Sequence, residues 1–389
     1  MAKRKKITPP RTLTKKQRGR AEKEARMTRW LIGSVIAVGV IVVATLAYGY
    51  IAEVIIRGRE PVAFVNDRPI TAGDFEARVL QRRIGLQLEL DYYRIQQLNS
   101  DPTDPMLEQL NEMIRGLEFQ LNPDYAVLLG QQVLDEMVQE EVIRQEAESR
   151  EITVSEDEID QMIEEQFGYD REARAEAEET ETETLTETVP TVEPMTYADF
   201  QQRYEDYIDV VLKPSGLGVS GFREMMEASL LEEKVREEII AEMDTEQDHV
   251  QFRFIAFESL EEASATLERL EGGELWEDLV AEIEADEGAT AYAAEPDWQP
   301  QSIVAEQVGE ELAAAIFATP VGGYVEPMMG SNGLYYLIEV TGYEEQRELD
   351  SFLLIYMQNN FYNEWLTQQV ETSVEYAEDW QDKVPTTTP

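Results

Sequence analysis

One histidine, His249, and no cysteine leave this chain with few of the usual catalytic groups. A mechanism that needs two imidazoles is excluded, and so are thiolate nucleophiles, disulfides and a lipid-modified cysteine. The sequence holds no Ser-His-Asp set, no phosphate-cradling glycine loop and no metal-ligand cluster, so no cofactor and no metal is expected. Carboxylate pairs recur at Glu140-Glu141, Glu232-Glu233 and Glu237-Glu238. With 80 acidic residues in the chain such pairs arise by coincidence, and no EF-hand spacing joins them. His249 stands at the entrance of an expected strand and reads as an ordinary surface histidine.

The elements around these residues begin with an uncharged apolar run, Trp30 to Ala52. As a helix it would span about 34 Å, enough for a hydrocarbon core of about 30 Å. Residues 1–29 hold 12 basic and 2 acidic residues, a net of +10, and the rest of the chain sums to −57. Basic flanks stay in the cytoplasm, which predicts a cytoplasmic tail 1–29, a single transmembrane helix 30–52 and an extracytoplasmic body. A cleaved signal peptide is the competing reading. The long basic region, the long apolar run and the lack of an A-x-A site count against it. The acidity of the body argues against nucleic acid as a partner, and favours basic or neutral ones.

Beyond the membrane, Glu60–Val65 reads as a strand with Asn66-Asp67 as its turn. Capping-box spacings at Thr71/Asp74 and Ser155/Glu158 open helices, and apolar periodicity predicts others over Ala72–Gln97, up to Leu121, and from Pro123 to Arg150. Residues 170–195, rich in Glu and Thr, read as a disordered acidic insert. Helices are expected again at Tyr197–Val211 and Val219–Met243. From Asp248 the periodicity changes: a strand at Val250–Phe257, helices at Leu260–Leu270, Glu274–Ile283 and Glu311–Ala318, then strands at Tyr324–Met328 and Leu334–Val340. That order predicts a small α+β domain. A last helix, about Leu349–Asp379, is too apolar for a solvated tail and must dock, whereas the Lys383–Pro389 end is expected to fray.

Three stretches carry a resemblance. Val62–Phe75 (VAFVNDRPITAGDF), Val133–Ile159 and the terminal Phe361–Tyr376 resemble the N-terminal domain and the return helix of exported foldases of the SurA/PpiD/PrsA kind. Between them, Val250–Gly342 resembles a parvulin-type peptidyl-prolyl isomerase domain. The resemblance implies a mainly α chaperone domain over 60–243, an inserted α+β parvulin-like domain over 248–345, and a helix over 347–380 that returns to the chaperone domain, followed by a tail, 381–389. It also implies a site. Phe254 and Tyr336 fall where the two pocket histidines usually stand, Asp286 falls on the acidic-or-cysteine position, and Val308 and Leu312 fall on the pocket Met and Phe. Phe317 is an aromatic of the same helix. As a displaced catalytic histidine, His249 is five residues out of register.

Parvulin chemistry needs a dry pocket that holds proline while its amide twists over a barrier of about 18–20 kcal/mol. Phe254 cannot hydrogen-bond, and Tyr336 can. Tyr336 and Asp286 are therefore the candidate catalytic residues, and Val308, Leu312 and Phe317 the candidate substrate-binding residues. The function expected is a membrane-anchored chaperone for unfolded or nascent exported polypeptides, with a degenerate isomerase domain. The alternatives are an active isomerase with an altered pocket and a scaffold for one membrane-associated partner. Oligomeric state is not legible in the sequence.

Overall fold

Thr71 ends one strand and starts one helix. Its hydroxyl accepts from the Asp74 N–H at 3.3 Å, satisfying one of the orphan donors at the helix start. The computed structural model describes residues 57–101, 105–175, 194–286 and 288–388, with 27, 30, 37–45 and 48 before them. The basic tail and the apolar run 30–52 lie mostly outside the described residues. Among those described, no helix is long and apolar enough to cross a membrane. The chain is mostly helical and divides into two compact units, Met1–Val235 with Leu366–Pro389, and Arg236–Trp365.

In the first unit, β1 (Pro61–Val65) and β2 (Arg68–Thr71) form a hairpin, and α1 (Ala72–Asn99), α2 (Leu107–Leu121), α3 (Ala126–Ser149) and α4 (Glu156–Gln166) follow. Ser155 caps α4 with both bonds of the capping box in place. The expected insert is structured at its start: 171–175 is helical, its first turn held by the Asp170 carboxylate and by Arg171 bonded to Asp157 at 3.0 Å. Residues 176–193 of it lie outside the described residues. Next come α5 (Tyr197–Tyr207), a π-helical turn at Ile208–Leu212, and α6 (Gly218–Ala241), in which the unit boundary falls. Phe167 sits amid Phe200, Tyr204, Tyr207 and Phe222 at centroid distances of 5.3–6.4 Å, so aromatic edges and faces build this core. Glu140, one of the paired carboxylates, accepts from the buried Arg78 at 2.5 Å.

In the second unit, β3 (Glu246–Phe257), α7 (Leu260–Glu271), α8 (Trp276–Ala285), β4 (Tyr292–Ala294), β5 (Gln299–Pro300), α9 (Gln301–Val308), α10 (Glu310–Ala318), β6 (Tyr324–Met329) and β7 (Tyr335–Glu348) make a small α+β fold. The sheet order is β4-β3-β7-β6, antiparallel throughout, with β5 beside the start of β3. Alternation along β3 and β7 divides two cores. Phe252, Ala256, Tyr336, Ile338 and Val340 face one side with α9 and α10, whereas Ile255, Phe257 and Leu337 face α7 and α8. The sequence pattern does not announce α9, and β4 and β5, of three and two residues, are too short to show a period.

Two expectations are corrected here. His249 is not a surface residue: it is 1% exposed. β3 starts four residues earlier than expected and is paired on both sides there, His249 lying opposite Glu344 of β7 and Pro300 of β5. Its Nδ1 is 2.7 Å from the Gln247 carbonyl. The chain end is also more ordered than a frayed tail. After α11 (Ser351–Ser373), β8 (Val374–Tyr376) pairs with β1, and Trp380, Lys383 and Val384 are buried against the first unit's core. Within α11 the apolar load is divided. Tyr362 is fully buried, but Phe352 and Ile355, in the first turns, are exposed.

Candidate functional site

The register of β3 on β7 sets the site. Ala256 lies opposite Tyr336 and Phe254 opposite Ile338, which makes Phe254 and Tyr336 diagonal neighbours on one face. Their rings meet edge to face with centroids 5.3 Å apart. Val308, at the end of α9, and Leu312, in α10, are buried in the same core, and Phe317 packs on its margin. Five of the six candidate residues are thus brought together. Asp286 is not. It is exposed at the C-terminus of α8, its carboxylate accepting from the Gly288 N–H at 2.9 Å.

Sequence reasoning missed three residues here. Tyr292 of β4 stacks edge-on against Phe254 at 5.8 Å. The Tyr336 phenol beside it first, and burial second, hold the Tyr292 phenol above its ordinary value. Asn332 donates its side-chain N–H to the Tyr336 hydroxyl at 2.8 Å. Gly330 lets the loop cross the ring: a Cβ there would stand 2.8 Å from Tyr336 Cε2. The Asn332-Gly333 dipeptide is a turn signal that could have found this loop, and Gly333 takes φ +82° as such turns require. The loop is tied to α9 by the Ser331 N–H donating to the Val308 carbonyl at 2.9 Å.

Chemically, the cluster is one phenol bonded to an amide and packed with Phe254, Val308 and Leu312, with Tyr336 and Leu312 themselves buried. No cluster of three or more metal-ligating side chains exists among the described residues.

Residues 24–178 match the family model of the SurA-like N-terminal domain, and residues 237–352 that of the PPIC-type PPIASE domain. The chain thus carries a SurA-like N-terminal domain and a PPIC-type PPIASE domain. No curated protein matches it. Among solved structures it is similar to the peptidylprolyl isomerase PrsA of Bacillus anthracis, at 17% identity and a TM-score of 0.31, covering 62% of this chain and 94% of that one. The foldase protein PrsA of Streptococcus pneumoniae matches at 18% identity and a TM-score of 0.26, covering 72% and 95%. A Campylobacter jejuni structure described as SurA-like chaperones matches at 14% and 0.18, covering 64% and 88%. At these scores the structural likeness adds nothing to the two domain matches. The PPIC-type match runs from the last residues of α6 into the first turn of α11, so it takes in the whole of β3–β7 and the Phe254–Tyr336 floor.

Proposed function

We propose that this foldase is a membrane-anchored, extracytoplasmic chaperone that holds unfolded or nascent exported polypeptides, its isomerase-type domain serving as a peptide-binding module. The observation that carries the reading is the joint match to a SurA-like N-terminal domain and a PPIC-type PPIASE domain in one chain. The anchor and the topology are supported by the uncharged 30–52 run with a net +10 before it and −57 from there on. Loss of isomerase chemistry is supported by Phe254, which has no polar atom to offer the twisting amide.

The purified full-length chain should delay aggregation of a chemically unfolded client at a stoichiometric ratio, followed by light scattering. No delay for any of several unrelated clients would remove the chaperone reading. Protease added outside intact cells should digest the body and spare an N-terminal tag; the reverse pattern would remove the topology. A single stoichiometric partner in crosslinked membranes, with no spread of clients, would put a scaffold in the chaperone's place.

A second reading, a working isomerase, is favoured by one feature. The Tyr336 hydroxyl, held by Asn332, keeps a polar group in the same cluster as Val308 and Leu312. Uncatalysed prolyl isomerisation takes about 10–100 s at 25 °C. Acceleration by the full chain that Tyr336→Phe abolishes would establish this reading. No acceleration leaves the binding module. Asp286, exposed at the C-terminus of α8, is the second candidate acid of this reading, and Asp286→Asn tests it in the same assay.

A further inference from the structure

The second unit has a groove away from the Phe254–Tyr336 floor, a cavity of about 540 Å³ between α9 and the start of α11. Its walls are apolar: Trp298, Ile303, Phe352, Leu353 and Tyr356. Phe352 is 79% exposed, an unusual position for a phenyl ring that the fold itself does not use. Three carboxylates rim the cavity, Asp297, Glu306 and Asp350, and no basic side chain lines it. Arg347 lies over the Trp298 ring at 5.0 Å and is paired with Glu344 at 2.5 Å.

The rim carboxylates are fixed in place. Asp350 caps α11 by accepting from the N–H groups of Phe352 and Leu353 at 2.9 and 3.0 Å. Glu306 accepts from the Tyr356 hydroxyl at 2.5 Å, and Asp297 from the Trp298 N–H at 2.8 Å. Each of these bonds uses one carboxylate oxygen. Gln299, also in the wall, has a side-chain oxygen that is buried without a hydrogen-bond partner.

We propose that this groove binds an extended polypeptide segment in which an aromatic or large aliphatic side chain is flanked by lysine or arginine. The apolar side chain fills the cavity against Trp298, Leu353 and Phe352. The flanking cations meet the rim carboxylates and the face of an aromatic ring. The charge of the groove selects the segment: an acidic neighbour would face three carboxylates at close range. The inference rests on the chaperone reading for the source of the segment, an unfolded client, but the groove's preference stands or falls independently.

The test uses the full-length chain and fluorescent Gly/Ser peptides with Lys-Phe-Lys, Ser-Phe-Ser or Glu-Phe-Glu at the centre, read by anisotropy at low salt. Affinity should fall in that order, with about tenfold between the first and last. Phe352→Ser, at an exposed position, should weaken the Lys-flanked peptide by about fivefold or more. Glu306→Gln with Asp297→Asn keeps the internal bonds and removes two charges, so the Lys-to-Glu gap should shrink to about twofold. Equal affinity for the three peptides, or a Lys-flanked affinity untouched by both variants, overturns the proposal. If those results come with undiminished suppression of client aggregation, the groove inference alone has failed. If the peptides bind as stated while no client is protected, the chaperone reading has failed and the groove stands.

Discussion

Gly130 tests whether the chain end is truly part of the first unit's core. In the interior of a helix such as α3, Gly→Ala is ordinarily stabilising by about 1 kcal/mol, because glycine gives up more backbone freedom. Here a Cβ at 130 would stand 2.6 Å from Cγ2 and 2.9 Å from Cγ1 of Val384. Rotating χ1 of a β-branched side chain exchanges one methyl for the other, so Val384 cannot turn away. Overpacking of this kind costs about 1–3 kcal/mol, and two methyls in collision put it in the upper half. Gly130→Ala should therefore destabilise by about 1–2 kcal/mol net. Val384→Ala alone should cost about 1.5 kcal/mol for two buried methyl groups. In the double variant the clash is gone, since the Val384 Cβ would be 3.4 Å from the new one. There Gly130→Ala should become stabilising by about 1 kcal/mol, a coupling of about 2–3 kcal/mol. Urea unfolding of the full chain followed by far-UV circular dichroism measures all four corners of the cycle. If Gly130→Ala stabilises the wild type, or acts identically with Ala at 384, the tail does not pack on α3 as described.

Three further outcomes can be measured. The Lys234 ammonium, and then Ser155, hold the Glu158 carboxyl down at about 2. The stability from that bond is present above the ordinary carboxylate range and is lost as pH falls toward about 2. Lys234→Met should move the Glu158 titration back up in an NMR pH series, and an unmoved titration would contradict the bond. Tyr336→Phe should lower the Tyr292 phenol toward its ordinary value, since the neighbouring Tyr336 phenol is the first cause of its rise. Ring-labelled tyrosine NMR reads this directly, and an unchanged Tyr292 would dissolve the paired-phenol floor. Gly342→Ala would place a Cβ 2.7 Å from Cη2 of Trp298. The half-buried indole can yield, so the expected loss is about 1 kcal/mol with an altered tryptophan emission, and unaltered emission would mean that Trp298 does not lie over Gly342.

Much of the architecture is legible in the sequence, because its signals are local. Thr71 and Ser155 cap the helices their spacings announce, and the helix ends fall close to where periodicity and proline place them. The α+β order of the second unit follows from the change of period near Asp248. The site is half legible. Phe254, Tyr336, Val308, Leu312 and Phe317 converge, yet the resemblance that names them also names Asp286, which the fold leaves exposed at a helix end. Tyr292 and Asn332 escape because a three-residue strand and a turn carry no periodic signal.

By itself the sequence determines the chemistry that is absent, one histidine and no thiol, and the electrostatic division at residues 30–52. It also determines the helix starts, since a capping hydroxyl and its target N–H lie within one turn of chain. The tertiary structure alone decides what depends on residues far apart. His249 is buried because β5 and the long end of β7 flank it, some 50 and 95 positions away. Val384 is core rather than tail because β8 pairs with β1 and brings the chain end onto Gly130. The groove beside Phe352 exists because α9 and the first turn of α11 come together across about 50 residues. Burial is a property of neighbours in space, and a linear pattern records only neighbours in sequence.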